Sequence, residues 1–257
     1  MNNNLVSIIT PTYNCAKFIE ETIRSVQAQT YTQWEMIISD DCSTDNTREV
    51  IAPYLASDYR IKYICNECNS GAAITRNNAL KLAQGRWIAF LDSDDLWLPE
   101  KLERQIKFME ENNYSFTYTQ YSEIDEQSDE LGRLITGPKH IDKCGMFAYC
   151  WPGCLTVMYD ASVVGLIQIA DIKKNNDYAM WLKVIRKTPC HLLDLQLGKY
   201  RKRSGSISNH SYKTLYKWHY LLFRKAEGYN PFSATILTMI NMACGFFKKF
   251  YYVKKRK

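Results

Sequence analysis

Between Leu5 and Leu91, short β-type apolar runs alternate with stretches whose apolar residues recur at helical spacing, and this alternation restricts the chain to few architectures. Leu5 to Thr10 is closed by Pro11 and followed by Ala16 to Gln29, which carries Phe18, Ile19, Ile23 and Val26 on one helical face. The unit recurs as Trp34 to Ser39 with Thr44 to Ala56, and as Ile61 to Ile64 with Ala72 to Gln84; a fourth run, Trp87 to Leu91, leads into Asp92. Strands alternating with helices of this length require right-handed crossovers, which predicts an α/β fold with a mostly parallel central sheet flanked by helices. With 257 residues, 46% of them hydrophobic, the chain has enough apolar material to cover such a sheet on both faces.

In sheets of this kind ligands bind beyond the carboxyl ends of the strands. Polar clusters fall at three of those ends: Thr12, Tyr13 and Asn14; Asp40 and Asp41; and Asp92, Asp94 and Asp95. The expectation is one shared cleft. Asp92-Ser93-Asp94 presents two carboxylates on an extended turn, a donor set that suits Mg²⁺ or Mn²⁺. The bland alternative is an acidic loop ahead of a helix opened by Pro99. Capping explains only one or two of the polar residues from Asp40 to Thr47. A carboxylate there can accept hydrogen bonds from a uracil or ribose, with Asp45 and Thr47 left to start the helix. After the turn Asn69-Ser70-Gly71, Arg76 can fork onto a phosphate or onto one of the aspartates.

Taken in order, the segments Val6 to Asn14, Asp40 to Asp45, Asn69 to Gly71 with Arg76-Asn77, and Asp92 to Asp95 resemble glycosyltransferase family 2. The resemblance runs from residue 4 to about residue 206 and is strongest toward bacterial enzymes that build O-antigen, capsule or teichuronic acid chains. It implies a GT-A fold, an inverting mechanism, usually a UDP-sugar donor, and a lipid-linked or oligosaccharide acceptor. By that likeness Pro11, Thr12, Tyr13 and Asp41 hold the nucleoside, Asp92 with Ser93 meets the ribose or the metal, Asp94 ligates Mn²⁺ or Mg²⁺, and Arg76 supports the phosphates. The family's base matches Asp177 in Asn176-Asp177-Tyr178-Ala179-Met180-Trp181; Asn176 stands where many relatives carry an acid. An inverting displacement needs a single base to take the acceptor's proton. A helix dipole would keep Asp177 ionised, and Trp181, one turn on, would pack under the acceptor sugar. The competing reading makes Asp177 a helix cap and Trp181 a core residue. Arg201 and Arg203, in the basic segment Tyr200 to Ser208, either shield the leaving group or form a solvated turn. Trp97 either borders a sugar or fills the core.

Charge divides the chain unevenly. From Ser211 onward ten Lys and Arg face the single Glu227, whereas residues 1–210 hold 23 basic against 26 acidic side chains. A slightly acidic body with a basic end points to a peripheral membrane contact and away from nucleic acid. Leu215, Trp218, Leu222 and Ala226 share one helical face, and residues 228–247 are uncharged but too rich in polar residues to span a bilayer well. The chain is thus expected to comprise a catalytic domain, 1–210, and a basic helical tail, 211–257. Within the domain, 1–98 would bind nucleotide and 99–210 acceptor. Nine irregularly spaced cysteines without a secretory signal suit reduced thiols and a cytoplasmic protein on the inner face of the membrane. Cys65-x-x-Cys68 lacks a second ligand pair for zinc. No P-loop or GxGxxG is present, so ATPase and dehydrogenase readings find no support. A non-catalytic nucleotide-sugar-binding scaffold is the remaining alternative, and it would need no base at Asp177.

Overall fold

The computed structural model describes residues 2–203 and 212–255. The first half keeps the predicted rhythm: β1 (Asn2–Thr12), α1 (Ile19–Gln27), β2 (Trp34–Asp40), α2 (Thr47–Ser57), β3 (Ile61–Cys65), α3 (Ala72–Leu82) and β4 (Gly85–Phe90). Strand β1 pairs in parallel with β2 and β4, and β2 with β3. Alternate residues serve opposite faces: Ile9, Ile37, Ile88 and Phe90 enter one core, and Ile8, Met36, Ile38 and Ala89 the other. That is why these runs are apolar throughout, as strands covered on both sides must be. In this register Thr12 lies against Asp40, so the polar clusters emerge together along one edge.

The second half is mixed. It contains β5 (Leu96–Trp97), α4 (Lys101–Asn112), β6 (Phe116–Ile124), β7 (Glu130–Ile135), β8 (His140–Ile141), α5 (Lys143–Ala148), β9 (Met158–Asp160), α6 (Ala161–Val164), α7 (Asn176–Val184) and β10 (Cys190–Arg201). Strand β9 runs antiparallel between β4 and β6 and joins the two halves into one sheet. β6 and β7 form a hairpin, whose short connection permits only antiparallel pairing. This hairpin occupies the polar stretch from Ser122 onward, and it gave little signal because the first half of β7 is largely exposed. Pro99 opens no helix directly; Leu96 and Trp97 first pair with β10, and α4 begins at Lys101.

Gly85 opens β4 where two backbones nearly touch. A Cβ there would lie 2.4 Å from the Leu5 carbonyl oxygen. Its N–H donates to Ser7 Oγ, which in turn donates to the buried carboxylate of Glu35. Gly85→Ala is expected to lower the unfolding free energy by about 1–3 kcal/mol, the usual cost of overpacking. Urea titration checks this, and an unchanged midpoint would mean the strands separate freely at that point.

The tail is built partly into the globule. α8 (Tyr212–Leu221) continues as a π-turn, Leu222–Ala226, and α9 (Pro231–Tyr251) leads into β11 (Val253–Lys255). Leu222, Phe223 and Ala234 are buried in the core that contains Trp181, and β11 extends the sheet beside β7. The helical tail is present as expected, and its end returns to cover a sheet edge that would otherwise be open.

Candidate active site

The loops after β1 and β2 are sewn together. Asn14, held at φ 48°, accepts at its side-chain oxygen from the Thr44 N–H, while its own N–H donates to Ser43 Oγ. Asp45 accepts from the Thr47 and Ala16 N–H groups, so it starts α2 and also secures the approach to α1. Asp40 accepts from Ser43 and from the Tyr63 hydroxyl at 2.7 Å, and so acts within the scaffold. Asp41 accepts from the N–H groups of Ser70 and Gly71, at 2.7 and 2.8 Å, and from Asn66 Nδ2. The turn Asn69-Ser70-Gly71 therefore serves to hold Asp41, and Gly71 is required there by its φ of 87°. Beside this carboxylate, Pro11 is half-buried, the Thr12 hydroxyl is buried without a partner among the described residues, and the Tyr13 ring is 45% exposed.

Arg76 reaches the acidic turn from α3. Its guanidinium donates to Asp92 Oδ1 at 2.5 Å and to Asn176 Oδ1 at 2.7 Å. Phosphate support and an aspartate pair were both open for this residue; here it pairs with the aspartate and also reaches Asn176. Burial works against its charge, and Asp92 foremost overcomes that penalty. Asn176 opens α7 and precedes Asp177, so one side chain ties the acidic turn to the helix that carries the expected base. Burial pushes the Asp177 carboxyl up, with Arg76 pulling partly against it.

Asp94 accepts from Arg203 Nε at 2.9 Å. Burial raises its carboxyl, Arg203 opposes this, and Asp92 adds to it. Asp95 is fully enclosed, accepts from the Arg201 N–H, and is pushed well up by burial and by Asp94 and Asp92. The Ser93 carbonyl accepts from Thr22 Oγ1 and the Cys15 thiol, which fixes the turn between the two aspartates. Arg201 is 1% exposed, and its guanidinium is spent on the Asp94 and Asp125 carbonyls, Ser128 and Glu21. It is therefore held within the scaffold, whereas Arg203 stays part-exposed beside Asp94. Ser204 to Ser208 of the basic segment lie outside the described residues.

Two tryptophans left open between sugar platform and core lie in the core. Trp97 is 3% exposed, with its indole N–H on the Leu155 carbonyl, and Trp181 is 0% exposed against Phe90 and Phe116. Both belong to the core, which their apolar neighbours in sequence already allowed.

Sequence reasoning missed two features. Asn176 was seen only as a departure from an acidic pair, yet it is what binds α7 to Arg76. Cys154 lies within the field of Asp92, Arg76 and Asp177; burial first, then Asp92, keeps its thiol protonated. No local spacing signals either role. A groove of about 540 Å³, lined by residues including Leu5, Trp34 and Arg60, sits at the amino ends of β1 and β2, away from these acids.

No group of three acids, histidines or cysteines stands ready as a metal cage among the described residues. Asp92 and Asp94 nevertheless fit a hard divalent cation of the kind that takes one or two carboxylates and completes its shell with water and substrate phosphate. Burial chiefly raises Asp94 and Asp95, and the repulsion from Asp92 that adds to it is what such an ion would relieve.

A parallel half with neighbouring aspartates at its carboxyl edge, joined through β9 to a mixed half, is the arrangement of the GT-A fold. The model of the family described as glycosyl transferase family 2 matches residues 7–154, and the chain belongs to this family. A putative teichuronic acid biosynthesis glycosyltransferase of Bacillus subtilis, TuaG, is 41% identical over 90% of this chain and 92% of its own. A UDP-Glc:α-D-GlcNAc-diphosphoundecaprenol β-1,3-glucosyltransferase of Escherichia coli, WfgD, is 41% identical over 84% of each chain. Among solved structures, S. aureus TarS 1-349 in complex with UDP-GlcNAc superposes with a TM-score of 0.70 at 22% identity, covering 91% of this chain and 70% of that one. A mannosyltransferase of Pyrobaculum calidifontis with GDP-Man and Mn²⁺ gives 0.64 at 16% identity, covering 94% and 75%. These two likenesses concern the fold. The protein is a glycosyltransferase.

Proposed function

We propose that this glycosyltransferase moves a hexose from a UDP-sugar, with inversion, onto a hydroxyl of a lipid-diphosphate-linked glycan during synthesis of a cell-surface polysaccharide. The bridge Asp92–Arg76–Asn176 carries the reading, because it joins the donor-side acids to the helix bearing Asp177. The acceptor named for the E. coli relative supports the lipid-linked substrate, and the basic tail supports work at the inner face of the membrane.

In this scheme Pro11, Thr12 and Tyr13 border the nucleoside, and Asp41 meets its polar edge. Asp177 accepts the proton of the acceptor hydroxyl as that oxygen bonds to the anomeric carbon; the bond to the diphosphate breaks on the opposite face and its electron pair leaves with UDP. The raised basicity of Asp177 suits this role. Arg203 offers positive charge to the departing diphosphate. A divalent cation, when bound, supplies neutralisation of the same charge, and Asp94 with Asp92 would hold it.

Incubating the purified protein with a panel of nucleotide sugars and a GlcNAc-diphosphate lipid should yield one new disaccharide of inverted anomeric configuration. Retained configuration, or hydrolysis with no transfer to any such acceptor, would sink the reading. Asp94→Ala should abolish Mn²⁺-dependent UDP binding in a calorimeter; undiminished binding would remove the metal from that carboxylate.

A further inference from the structure

Helix α9 is built inside out. The residues it buries most completely are small or polar: Ala234, Thr238 and Asn241 are 0%, 0% and 1% exposed, with Leu237 packed part-buried beside them. Gly245 lets the helix approach so closely that a Cβ there would lie 2.9 Å from the Tyr149 ring. Most of its large apolar side chains face away: Phe232 is 76% exposed, Met239 62% and Phe250 68%, with Ile236, Ile240 and Phe247 beside them. At the α-helical repeat these six fall within an arc of about 100°. Their exposure along the full length of a 21-residue helix is the reverse of what water selects. The stripe continues onto α8, where Tyr212, Lys213, Tyr216, Met239 and Met242 line a groove of about 530 Å³ between the two helices.

We propose that this face docks into the interface of an anionic phospholipid bilayer, with α9 lying in the membrane plane and its apolar stripe among the acyl chains. The proposal deepens the membrane contact suggested above and rests on it. Charge selects the partner: exposed Lys213, Lys217, Lys249, Lys254 and Lys255 surround the stripe, in a segment that holds ten basic residues against one acid. A second copy of the chain on the same face would bring this positive segment against itself, which opposes an isologous dimer. No described helix is long and apolar enough to cross a membrane, because the polar residues of α9 are turned inward, so lying flat is what the face permits.

The inward face ties the docked helix to the acceptor side. Asn241 Nδ2 donates to the hydroxyl of Tyr178, the residue after Asp177, and Lys248 Nζ donates to the Trp151 carbonyl, three positions before Cys154. Seating α9 in the bilayer therefore holds the base next to the surface from which a lipid-linked acceptor projects.

The test uses the full chain, with vesicles of phosphatidylcholine mixed with phosphatidylglycerol and vesicles of phosphatidylcholine alone. Wild type should sediment with the mixed vesicles and stay partly bound at about 1 M salt, where charge attraction is screened. Phe247→Ser combined with Phe250→Ser should weaken partitioning about a hundredfold, near tenfold for each large side chain withdrawn from the bilayer. Melting temperature and nucleotide-sugar hydrolysis in solution should not change, while the KM for a lipid-linked acceptor rises. Phe232→Ser with Ile236→Ser, at the other end of the same face, should repeat the loss. Binding of either double variant within threefold of wild type would overturn the proposal. So would complete release of wild type by salt, or a wild-type dimer that the variants convert to monomer. A wild type that docks but transfers sugar to no lipid-linked acceptor would overturn the transferase reading and leave the docking standing.

Discussion

Asp177→Asn should reduce turnover by roughly a hundredfold or more while leaving donor binding nearly intact, since the amide keeps the shape of the side chain and removes its basicity. The pH profile carries a second signature. Burial raises this carboxyl above the ordinary range, so wild-type turnover falls as the pH drops through that raised value, at higher pH than an ordinary aspartate near 3.9 would set. In the variant that acid limb should disappear. A variant within about threefold of wild type would assign the base to another group.

Arg76→Met should have the broadest effect, because it withdraws a buried cation from a part-buried pair and leaves Asp92 and Asn176 facing an apolar side chain. Removing one partner of a fully buried ion pair costs about 3–5 kcal/mol, and with Asp92 partly exposed the loss should lie below that range, still enough for thermal or urea unfolding to register. Turnover should fall as well, through the loss of register between the acidic turn and α7. Arg76 pulls the Asp177 carboxyl down, so its loss should move the acid limb of the remaining activity to higher pH. Arg76→Lys keeps the charge but loses the planar fork that serves two acceptors, and should recover stability better than turnover. An Arg76→Met protein that melts like wild type with an unmoved acid limb would show that the bridge organises nothing.

The parallel half was legible because its signals are local. Strands covered on both faces must be apolar at every position, and helices of the observed length show their period within a single window, so β1 through β4 follow from the residues themselves. The acids at the strand ends were legible for the same reason, since parallel register brings carboxyl ends together whatever the loops contain. Asp45 and Thr47 as starters of α2 likewise depend on neighbours only a few positions away.

Long-range packing decided the rest. Arg76 and Asn176 are 100 positions apart, and nothing near either residue signals that one guanidinium joins the acidic turn to the helix of Asp177. Trp97 and Trp181 read alike as sugar platforms or core; only the surrounding elements, which bury both indoles, make them core. Arg201 and Arg203 read alike as phosphate shields, and the tertiary fold enclosed one and left the other beside Asp94. The same division applies to α9. Its composition specified an uncharged helix of mixed polarity ending in a basic cluster, but which side of that helix met the protein depended on contacts with Tyr178, Tyr149 and Trp151 from distant parts of the chain. Periodicity reports that a helix has two faces, whereas packing free energy selects the one that is buried; here the small and polar face fitted the globule, and the large apolar face was left outward.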